Sequence, residues 1–451
     1  MNILTAVTAA AGGVVGLLVW RYLLHQGKGV VPAERLLTTA LVVGLICRIA
    51  SAILTPTFQA PDEQSHFNYV KYLDVHQSFP VQVSKTNASS NDWEYYQPPL
   101  YYVLCLPVYW ITSRLGGDGD YIIVRSIRSV SIMLWAINLH FTRKLLQNLL
   151  INDIFVRAFV ICMITLLPTY VFLSSSINND NLLIALGGLL LYIFSKDITN
   201  ARSILSGILL GVALLTKLTA VVYIFALIAV LATYYAVGKM SLTVALLRFS
   251  TASFIATAIW IPWGLRNIRV YGDITGEQVA NIPYHWESSY DAVLSIISYI
   301  SRSFSSVSGI HNNVIFFPVV GFFLIGMSFI GMFHQARSWQ YFFRLHPIQY
   351  RSSSYMLGMA LAVIINFVLI VRFGFLYNQG QGRFLYPMLA PISVFIAVGI
   401  KLMMGSKCPQ NAHIHAIGFF VTYLLSFTGF SLAVFYTIDP QVLLQRDIRF
   451  P

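Results

Sequence analysis

Long runs of apolar residues, separated by short polar segments, recur along nearly the whole chain. A helix that crosses a bilayer needs about 20 apolar residues. Twelve runs approach that length: 3–20, 36–54, 121–141, 155–173, 181–195, 203–216, 218–237, 243–263, 313–333, 354–371, 384–404 and 412–437. Two runs, 181–195 and 203–216, are short, so the pattern predicts ten to thirteen spanning helices. We therefore predict an all-α polytopic membrane protein.

The composition supports this class and excludes several others. Of the 451 residues, 57% are hydrophobic and 10% are charged, whereas an ordinary soluble domain has about 25% charged residues. The charged fraction is too low for a soluble enzyme, a disordered protein or a nucleic-acid-binding module, so we expect no nucleic-acid partner.

The net charge of +12 lies entirely in one of two sets of connecting segments. With adjoining helix ends, that set holds 15 of the 29 Lys and Arg residues and three of the 17 Asp and Glu residues; it comprises 21–35, 142–154, 196–202, 238–248, 334–353 and 401–411. The rest of the chain holds 14 cations and 14 acids. Because Lys and Arg accumulate in cytoplasmic loops, we assign the first set to the cytoplasm. Both termini and the loops 55–120, 264–312 and 372–383 then face outward.

No connecting segment predicts a separate soluble domain, so residues 1–451 are expected to form a single transmembrane domain. The first outward loop, 55–120, is the longest, and its second half is apolar and aromatic but interrupted by Pro107. Because Tyr and Trp favour the membrane surface, we predict one or two helices lying on the outer leaflet there. Residues 264–312 form the second outward loop. The first apolar run has no basic residue before it, which predicts a retained helix rather than a signal peptide.

Candidate chemistry begins just after the second apolar run, where Pro61, Asp62 and Glu63 are followed by His66. Pro suits the first position of a helix, and acids are favoured in its first turn, so the two carboxylates are predicted at a helix start just outside the bilayer. A partly desolvated carboxylate there can act as a general base. His66 lies four residues after Asp62, on the same helical face. The alternative is a helix-start acid without a chemical role.

A second motif runs from Asp92 to Tyr102 and combines polar with aromatic side chains. One interpretation is that Glu94 and Gln97 contact a sugar whose faces pack on the aromatic rings. The other is an interfacial aromatic belt. The sequence favours neither.

Several cations in the outward segments break the charge asymmetry. Arg can bind a phosphate through two hydrogen bonds, so these cations together predict a phosphate site. For any one of them, snorkelling toward lipid headgroups is the alternative. They are Lys217, Arg266, Arg269, Arg372 and Arg383.

No motif requires a cofactor, although a divalent metal is compatible with the sequence. Asp118-Gly-Asp120 matches the DxD pattern of nucleotide-sugar transferases, but that pattern works on a soluble nucleotide-binding domain. Asn87-Ala-Ser89 fits a glycosylation acceptor, a triplet common by chance. The four cysteines show no metal spacing, which favours buried packing.

Six motifs occur in an order that resembles a known family. The resemblance covers about residues 36–400 and is to the GT-C fold membrane glycosyltransferases, in particular the bacterial branch related to protein O-mannosyltransferases and aminoarabinose transferases. The motifs are Pro61-Asp62-Glu63-x-x-His66-Phe67, Gln97-Pro98-Pro99-Leu100-Tyr101-Tyr102, Ser176-Ile177-Asn178-Asn179-Asp180-Asn181-Leu182, Gly211-x-x-Leu214-Leu215-Thr216-Lys217, Pro262-Trp263-x-x-Arg266-Asn267-x-x-x-Tyr271-Gly272-Asp273 and Gln381-Gly382-Arg383-Phe384-Leu385-Tyr386-Pro387.

The resemblance implies roles for individual residues. Asp62 would be the catalytic base, with Glu63 beside it. Substrate contacts are expected from His66, Glu94, Gln97, Tyr101, Asn179 and Asp180. Donor phosphate contacts are expected from Lys217, Arg266, Arg269 and Arg383. Some relatives bind a divalent metal near the acidic loop, for which Asp62, His66 and Glu94 are the candidates. The chain departs from the family pattern because its acidic motif follows the second apolar run, as though one N-terminal helix had been added.

The residues and the resemblance together predict an inverting glycosyltransferase of the bacterial inner membrane. It would move a sugar from a polyprenyl-phosphate donor to an acceptor hydroxyl on the outer face, the acceptor being a glycan or a protein and most simply an envelope glycan such as lipopolysaccharide. Alternatives are a lipid-linked glycan ligase or polymerase and, third, a lipid-glycan transporter or flippase, which would carry polar groups near the bilayer midplane. The enzyme hypothesis further predicts that Asp62, Lys217, Arg266 and Arg383 line one outward cavity.

Overall fold

The computed structural model describes residues 14, 33–83, 92–115, 119–149, 151, 153–280, 284–305, 316–342, 347–405, 421–426 and 428. Within these ranges the chain is helical and contains no β-strand. The helices bounded at both ends are α1 (Ala33–Leu54), α2 (Glu63–His76), α3 (Leu100–Arg114), α4 (Asp120–Asn148), α5 (Ile154–Leu166), α6 (Pro168–Leu173), α7 (Asp180–Phe194), α8 (Asn200–Leu214), α9 (Val221–Ala236), α10 (Leu242–Tyr271), α11 (Glu277–Ala280), α12 (Ser289–Ser305), α13 (Phe316–Phe342), α14 (Pro347–Tyr377) and α15 (Leu389–Met404). Short 3₁₀-helices, Leu218–Ala220 and Gly382–Met388, precede α9 and α15.

Ten of the twelve predicted apolar runs coincide with helices in the described part of the chain. Five helical segments are long and apolar enough to cross a membrane by length and composition: Asp120–Asn148, Leu218–Ala236, Leu242–Tyr271, Ser354–Tyr377 and Gly382–Met404. Shorter apolar helices occupy the other five runs, at Thr38–Leu54, Ile154–Leu166, Asp180–Phe194, Asn200–Leu214 and Val320–His334. The all-α membrane class is confirmed. The run 3–20, apart from Val14, and most of 412–437 lie outside the described residues.

One predicted span, 155–173, is a broken helix. Pro168 has no N–H, so it cannot donate to the carbonyl of Ile164 as a helical residue would. Trp135 Nε1 donates to that carbonyl instead at 3.0 Å, and Arg48 Nη2 does so at 3.3 Å. Arg48 also donates to the Thr165 carbonyl at 2.7 Å and stacks 3.9 Å from the centre of the Trp135 ring. This buried arginine of α1 therefore stabilises the carbonyls that the break leaves without helical partners.

Helices α8 and α10 approach each other closely because two glycines of α8 lie four residues apart. A Cβ atom on Gly207 would lie 2.7 Å from the Ala252 carbonyl oxygen, and one on Gly211 would lie 2.7 Å from Ile259 Cβ. Small residues at this spacing let helix backbones pack closely in membranes. The same residues thereby fix the Lys217 turn, which follows α8.

The first outward loop contains two helices, one at the predicted acidic helix start and one in the apolar second half, where one or two were predicted. Helix α2 begins at Glu63 and packs on α3, which in turn packs on α4. The rings of Tyr69 and Tyr102 are stacked with their centres 3.7 Å apart in the apolar cluster between α2 and α3. The Leu100 N–H donates to the Leu215 carbonyl at 3.1 Å. This bond holds the start of α3 beside the end of α8.

The second outward loop is more helical than its sequence suggested. Helix α10, predicted to end near 263, continues to Tyr271 and ends at Gly272, whose φ of 73° suits a helix C-terminus. Helix α12 then buries an apolar face against α13 and the 3₁₀-helix Gly382–Met388. Its polar residues, including Asp291 and Arg302, kept it below the apolar content of a predicted span.

Candidate active site

Asp62 has an unusual backbone conformation and turns its side chain away from its own helix. Its φ of 61° and ψ of 3° lie in the left-handed region, and its carboxylate makes no cap hydrogen bond to α2. Oδ2 lies 2.8 Å from Arg383 Nη2, and Oδ1 accepts a hydrogen bond from Trp93 Nε1 at 3.2 Å. A non-glycine residue in this conformation costs about 1 kcal/mol or more and persists where surrounding contacts impose it.

Arg383 comes from the 3₁₀-helix Gly382–Met388, which lies tightly against α12. The Gly382 N–H donates to Ser303 Oγ at 2.7 Å, and a Cβ on Gly382 would lie 2.4 Å from the Ile300 carbonyl oxygen. This close approach orients Arg383 toward Asp62. Its side chain is only 10% exposed, yet Nε and Nη1 are buried without a hydrogen-bond partner in the described part of the chain. Part of the guanidinium therefore has hydrogen-bonding capacity that the described residues do not use.

A second ion pair lies between the Lys217 turn and the start of α7. Lys217 Nζ is 2.6 Å from Asp180 Oδ1, and the other oxygen, Oδ2, is buried without a partner among the described residues. Both polar atoms of the neighbouring Asn179 amide are likewise buried and unpartnered within that set. Buried polar atoms without partners are costly, which marks this turn as a place where a polar ligand would bind.

The charged groups are close enough to shift one another's pKa values. Burial raises the pKa of Asp62, but the positive charges of Arg383 and Lys217 lower it by a larger amount. This carboxyl is therefore ionised at neutral pH. Burial, assisted by the negative charge of Asp62, raises the pKa of Glu94 to about 8. Burial lowers the pKa of His66 to about 3 despite the charge of Asp62. At neutral pH the site therefore holds an ionised Asp62, a protonated Glu94 and a neutral His66.

His66 lies near the charged groups, and both His66 and Gln97 bond to tyrosine hydroxyls. Nδ1 of His66 is 2.9 Å from the Tyr102 hydroxyl, in a hydrogen bond. Gln97 Nε2 donates to the Tyr96 hydroxyl at 2.8 Å. Both side chains are buried, so their contacts orient the aromatic rings that face the site.

Glu63 differs from Asp62 in its surroundings, although the sequence predicted both as catalytic. Its side chain is fully buried, and its two oxygens lie 2.8 Å from Arg128 Nε and 2.6 Å from Arg128 Nη2. They also accept hydrogen bonds from the N–H groups of Phe58 and Ile177, each at 3.1 Å. These contacts correct the expected placement: Glu63 points into the protein and has no free path to a substrate.

Tyr101 likewise has a supporting position. Its hydroxyl accepts a hydrogen bond from the Asn178 N–H at 3.0 Å and lies 3.1 Å from Ser131 Oγ. The ring is fully buried. Tyr101 therefore fixes the turn that carries Asn179 and Asp180 rather than contacting a substrate itself.

Arg266 does not join the cavity that it was predicted to share with Asp62, Lys217 and Arg383. Its Nη2 donates to the Pro80 carbonyl, and its guanidinium stacks 4.6 Å from the centre of the Trp263 ring. It holds the first outward loop on the end of α10. Arg269 and Arg372 are exposed on helix surfaces. The structure brings together three of the four predicted residues.

The three metal candidates do not form a three-ligand site. No group of three His, Cys, Asp or Glu side chains that could hold a metal ion is found among the described residues. Asp62 faces the cation Arg383, and the Nδ1 atom of His66 is bonded to the Tyr102 hydroxyl. The structure therefore assembles no three-ligand site from these candidates within the described residues.

Two contributors to the site had no distinguishing signal in the sequence. Trp93 donates to Asp62, but it was one aromatic residue among many in its segment. The Phe384 ring lies below both cations, with its centre 5.5 Å from Lys217 Nζ and 5.5 Å from Arg383 Cζ. Cation–π contact of this kind depends on tertiary packing.

Comparison with known proteins identifies the fold through structures alone. No family model matches the sequence, and no curated protein sequence matches it. ArnT, an aminoarabinose transferase, from Cupriavidus metallidurans in the apo state matches with a TM-score of 0.54 at 13% identity over 88% of this chain and 76% of ArnT. The Archaeoglobus fulgidus oligosaccharyltransferase in complex with Zn and sulfate matches with a TM-score of 0.50 at 14% identity over 88% of this chain and 52% of that enzyme. The chain has the fold of the GT-C membrane glycosyltransferases.

Proposed function

We propose that the protein is a glycosyltransferase that uses a polyprenyl-phosphate-linked sugar and acts at the outward end of its membrane helices. The observation that carries this proposal is the Asp62–Arg383 pair beside Lys217. It joins an ionised carboxylate to an arginine with unpartnered donors in the described part of the chain and to a second nearby cation. The GT-C fold supports the proposal, since both solved matches named above are glycosyltransferases by name.

The donor phosphate would bind to Arg383 and Lys217. Arg383 offers Nε and Nη1, which are buried and unpartnered within the described residues, and Lys217 supplies a second positive charge. Charges fixed in a partly dry cavity stabilise developing negative charge more effectively than the same charges in water. The prenyl chain would remain among the membrane helices.

The transfer itself needs a base and a phosphate site. The acceptor O–H bond breaks and its proton passes to Asp62, while the acceptor oxygen bonds to the anomeric carbon. The bond from that carbon to the phosphate oxygen breaks, and its electron pair stays on the phosphate. In-line attack inverts the anomeric configuration. A phosphate is already a good leaving group, so no general acid is required.

The sugar or the acceptor would contact the turn that begins α7. The Asn179 amide has a donor and an acceptor atom buried without partners among the described residues, and Asp180 Oδ2 is a further free acceptor. Sugar hydroxyls both donate and accept hydrogen bonds, so they match this set. Protonated Glu94, whose Oε2 is buried without a partner among the described residues, adds a donor near Asp62.

The acceptor proposed here is an envelope glycan exposed outside a bacterial inner membrane. The charge asymmetry of the loops supports placing the site on the outer side of the membrane. A ligase or polymerase of lipid-linked glycans would use the same cavity with a longer donor. The two activities differ in product, because a transferase adds one sugar whereas a ligase or polymerase adds several.

The substitution Asp62→Asn tests the proposal. Asn tolerates left-handed backbone conformations, so the fold should persist while the base is lost. We expect transfer to fall by about 10²- to 10⁴-fold. The measurement compares, by mass spectrometry, the envelope glycans of cells that lack the gene and carry either the wild-type or the variant copy.

Asp120→Asn is the matched control, because Asp120 is an acid of the same outward region whose side chain is 47% exposed. It should restore the glycan fully. Full restoration by Asp62→Asn at equal protein levels would contradict the assignment of the base.

A further inference from the structure

We propose that Arg383 holds Asp62 in an inactive ion pair and releases it as a base when the donor phosphate binds. This inference rests on the proposed function and adds the order in which the two substrates bind. The lipid donor binds first, and only then does the acceptor hydroxyl meet an active base. Arg383 would couple the two events in addition to binding the phosphate.

Both carboxylate oxygens of Asp62 already have partners. One oxygen faces Arg383 Nη2 at 2.8 Å, and the other accepts a hydrogen bond from Trp93 Nε1 at 3.2 Å. Burial raises the pKa of Asp62, but Arg383 and Lys217 lower it by more, so the pKa lies below its ordinary value. A base has to accept a hydrogen bond from the acceptor hydroxyl. In this arrangement Asp62 is a weak base whose two oxygens already have donors.

Arg383 has donors left for a second anion. Its Nε and Nη1 atoms are buried and unpartnered among the described residues, whereas Nη2 is used by Asp62. Nε–H and Nη1–H lie on different edges of the guanidinium, so each can donate a single hydrogen bond to a phosphate oxygen. Lys217 lies near enough for its charge to act on Asp62. Arg383 therefore keeps two unused donors for a phosphate that arrives while Asp62 is still in place.

A bound phosphodiester would compete with Asp62 for the same positive charge. As the phosphate draws Arg383 toward itself, the cation lowers the pKa of Asp62 less, while burial continues to raise it. Asp62 thus becomes a stronger base only in the presence of the donor. It then accepts the acceptor proton, and the charge that develops on the leaving phosphate is held by Arg383 and Lys217.

A double-mutant cycle on affinity tests this exchange, using purified full-length protein and undecaprenyl phosphate as the probe. Asp62→Asn removes the competing anion, so we expect it to bind the probe about tenfold more tightly than wild type. In an Arg383→Gln background the same substitution should bring no gain, because no guanidinium remains to be released. A gain of equal size in both backgrounds would indicate simple charge repulsion and would overturn the proposal.

Proton uptake gives a second measurement that does not depend on Arg383→Gln. If binding raises the pKa of Asp62, wild type should take up more protons than Asp62→Asn when the probe binds near pH 5. Calorimetry in buffers of different ionisation enthalpy reports this difference, and ionisation of the probe is common to both proteins. Equal proton uptake would contradict the exchange.

Failure of the exchange and failure of the proposed function give different results. If folded wild-type protein does not bind the probe, the proposed function fails. If wild type binds and Arg383→Gln weakens binding, but Asp62→Asn leaves it unchanged or weaker, the donor site stands and the exchange is wrong. Asp120→Asn, the half-exposed control, should leave the affinity unchanged.

Discussion

At the scale of single residues, two adjacent acids have opposite environments. Asp62 pairs with Arg383, which has unpartnered donors in the described part of the chain, whereas Glu63 is enclosed and accepts four hydrogen bonds. Arg128 also donates to the carbonyls of Ala52 and Thr55, each at 2.7 Å, at the end of α1. The Glu63–Arg128 pair therefore fixes the start of α2 to the end of α1 and so positions Asp62.

Removing Arg128 should destabilise the protein strongly. In Arg128→Met the Glu63 carboxylate would remain buried without its ion-pair partner, which costs about 3–5 kcal/mol of unfolding free energy. Thermal unfolding of the detergent-solubilised protein measures the change. The matched control is Arg125→Met, which removes an arginine that donates to the Ile53 carbonyl at 2.8 Å and should cost about 1 kcal/mol. If Glu63→Gln abolished transfer at wild-type stability, Glu63 would be catalytic after all.

The activity should fall at alkaline pH because Glu94 loses its proton there. Its pKa is raised from an ordinary 4.5 to about 8, so it loses its proton as the pH rises through about 8. The new charge beside Asp62 would repel the donor phosphate, and wild-type activity should fall. Glu94→Gln cannot ionise and should keep its activity. The measurement is the rate of glycan modification by membranes containing each protein between about pH 6 and pH 9.5.

The free energy of unfolding should also depend on the ionisation of Glu94. Between about pH 4.5 and 8 the folded protein keeps the Glu94 proton that the unfolded chain has lost, so this contribution to stability is full below about pH 4.5 and is lost progressively until the pH has passed about 8. Glu94→Gln should remove this dependence. If wild type and Glu94→Gln lost stability equally as the pH rises, a group other than Glu94 would be responsible.

At the scale of elements, helix ends and breaks place the functional side chains. The helix broken at Pro168 precedes the turn that begins α7, and the helix α8 that packs closely on α10 leads directly into the Lys217 turn. Helix α10 extends past the predicted membrane segment. Its last turns carry Arg266 to the first outward loop, which explains why a residue of a predicted phosphate motif contacts Pro80 instead.

Arg266 should therefore act as a loop anchor. In Arg266→Met the bond to the Pro80 carbonyl is lost, and the adjoining bond from the Gln82 N–H to the Tyr271 hydroxyl, 2.9 Å long, loses its support. We expect faster hydrogen exchange at residues 77–83 and 92–97 with unchanged affinity for undecaprenyl phosphate. Arg269→Met, which alters an exposed neighbour, is the control. Unchanged exchange combined with weaker binding would return Arg266 to the phosphate site.

At the scale of the whole molecule, contacts between loops respect the two sides assigned from charge. Lys401 pairs with Asp153, and both belong to the set assigned to the cytoplasm. The outward segments contact one another through Arg383 and Asp62, Arg266 and the Pro80 carbonyl, and Trp286 and the Phe375 carbonyl. Charge asymmetry and packing therefore agree on which loops share a side.

The sequence by itself determined the membrane class, the helical runs and the grouping of loops, because apolar length and the placement of Lys and Arg are properties of local composition. Its motifs also selected Asp62, Glu94, Asp180, Lys217 and Arg383, which the structure brings together. Only the tertiary structure decided how neighbours differ in role. Asp62 and Glu63 are equivalent in composition, and they separate because packing gives Glu63 a buried arginine and Asp62 a partly open one. Arg266 likewise lies outside the phosphate site. Helix α10 is longer than predicted, and its last turns place Arg266 against the Pro80 carbonyl.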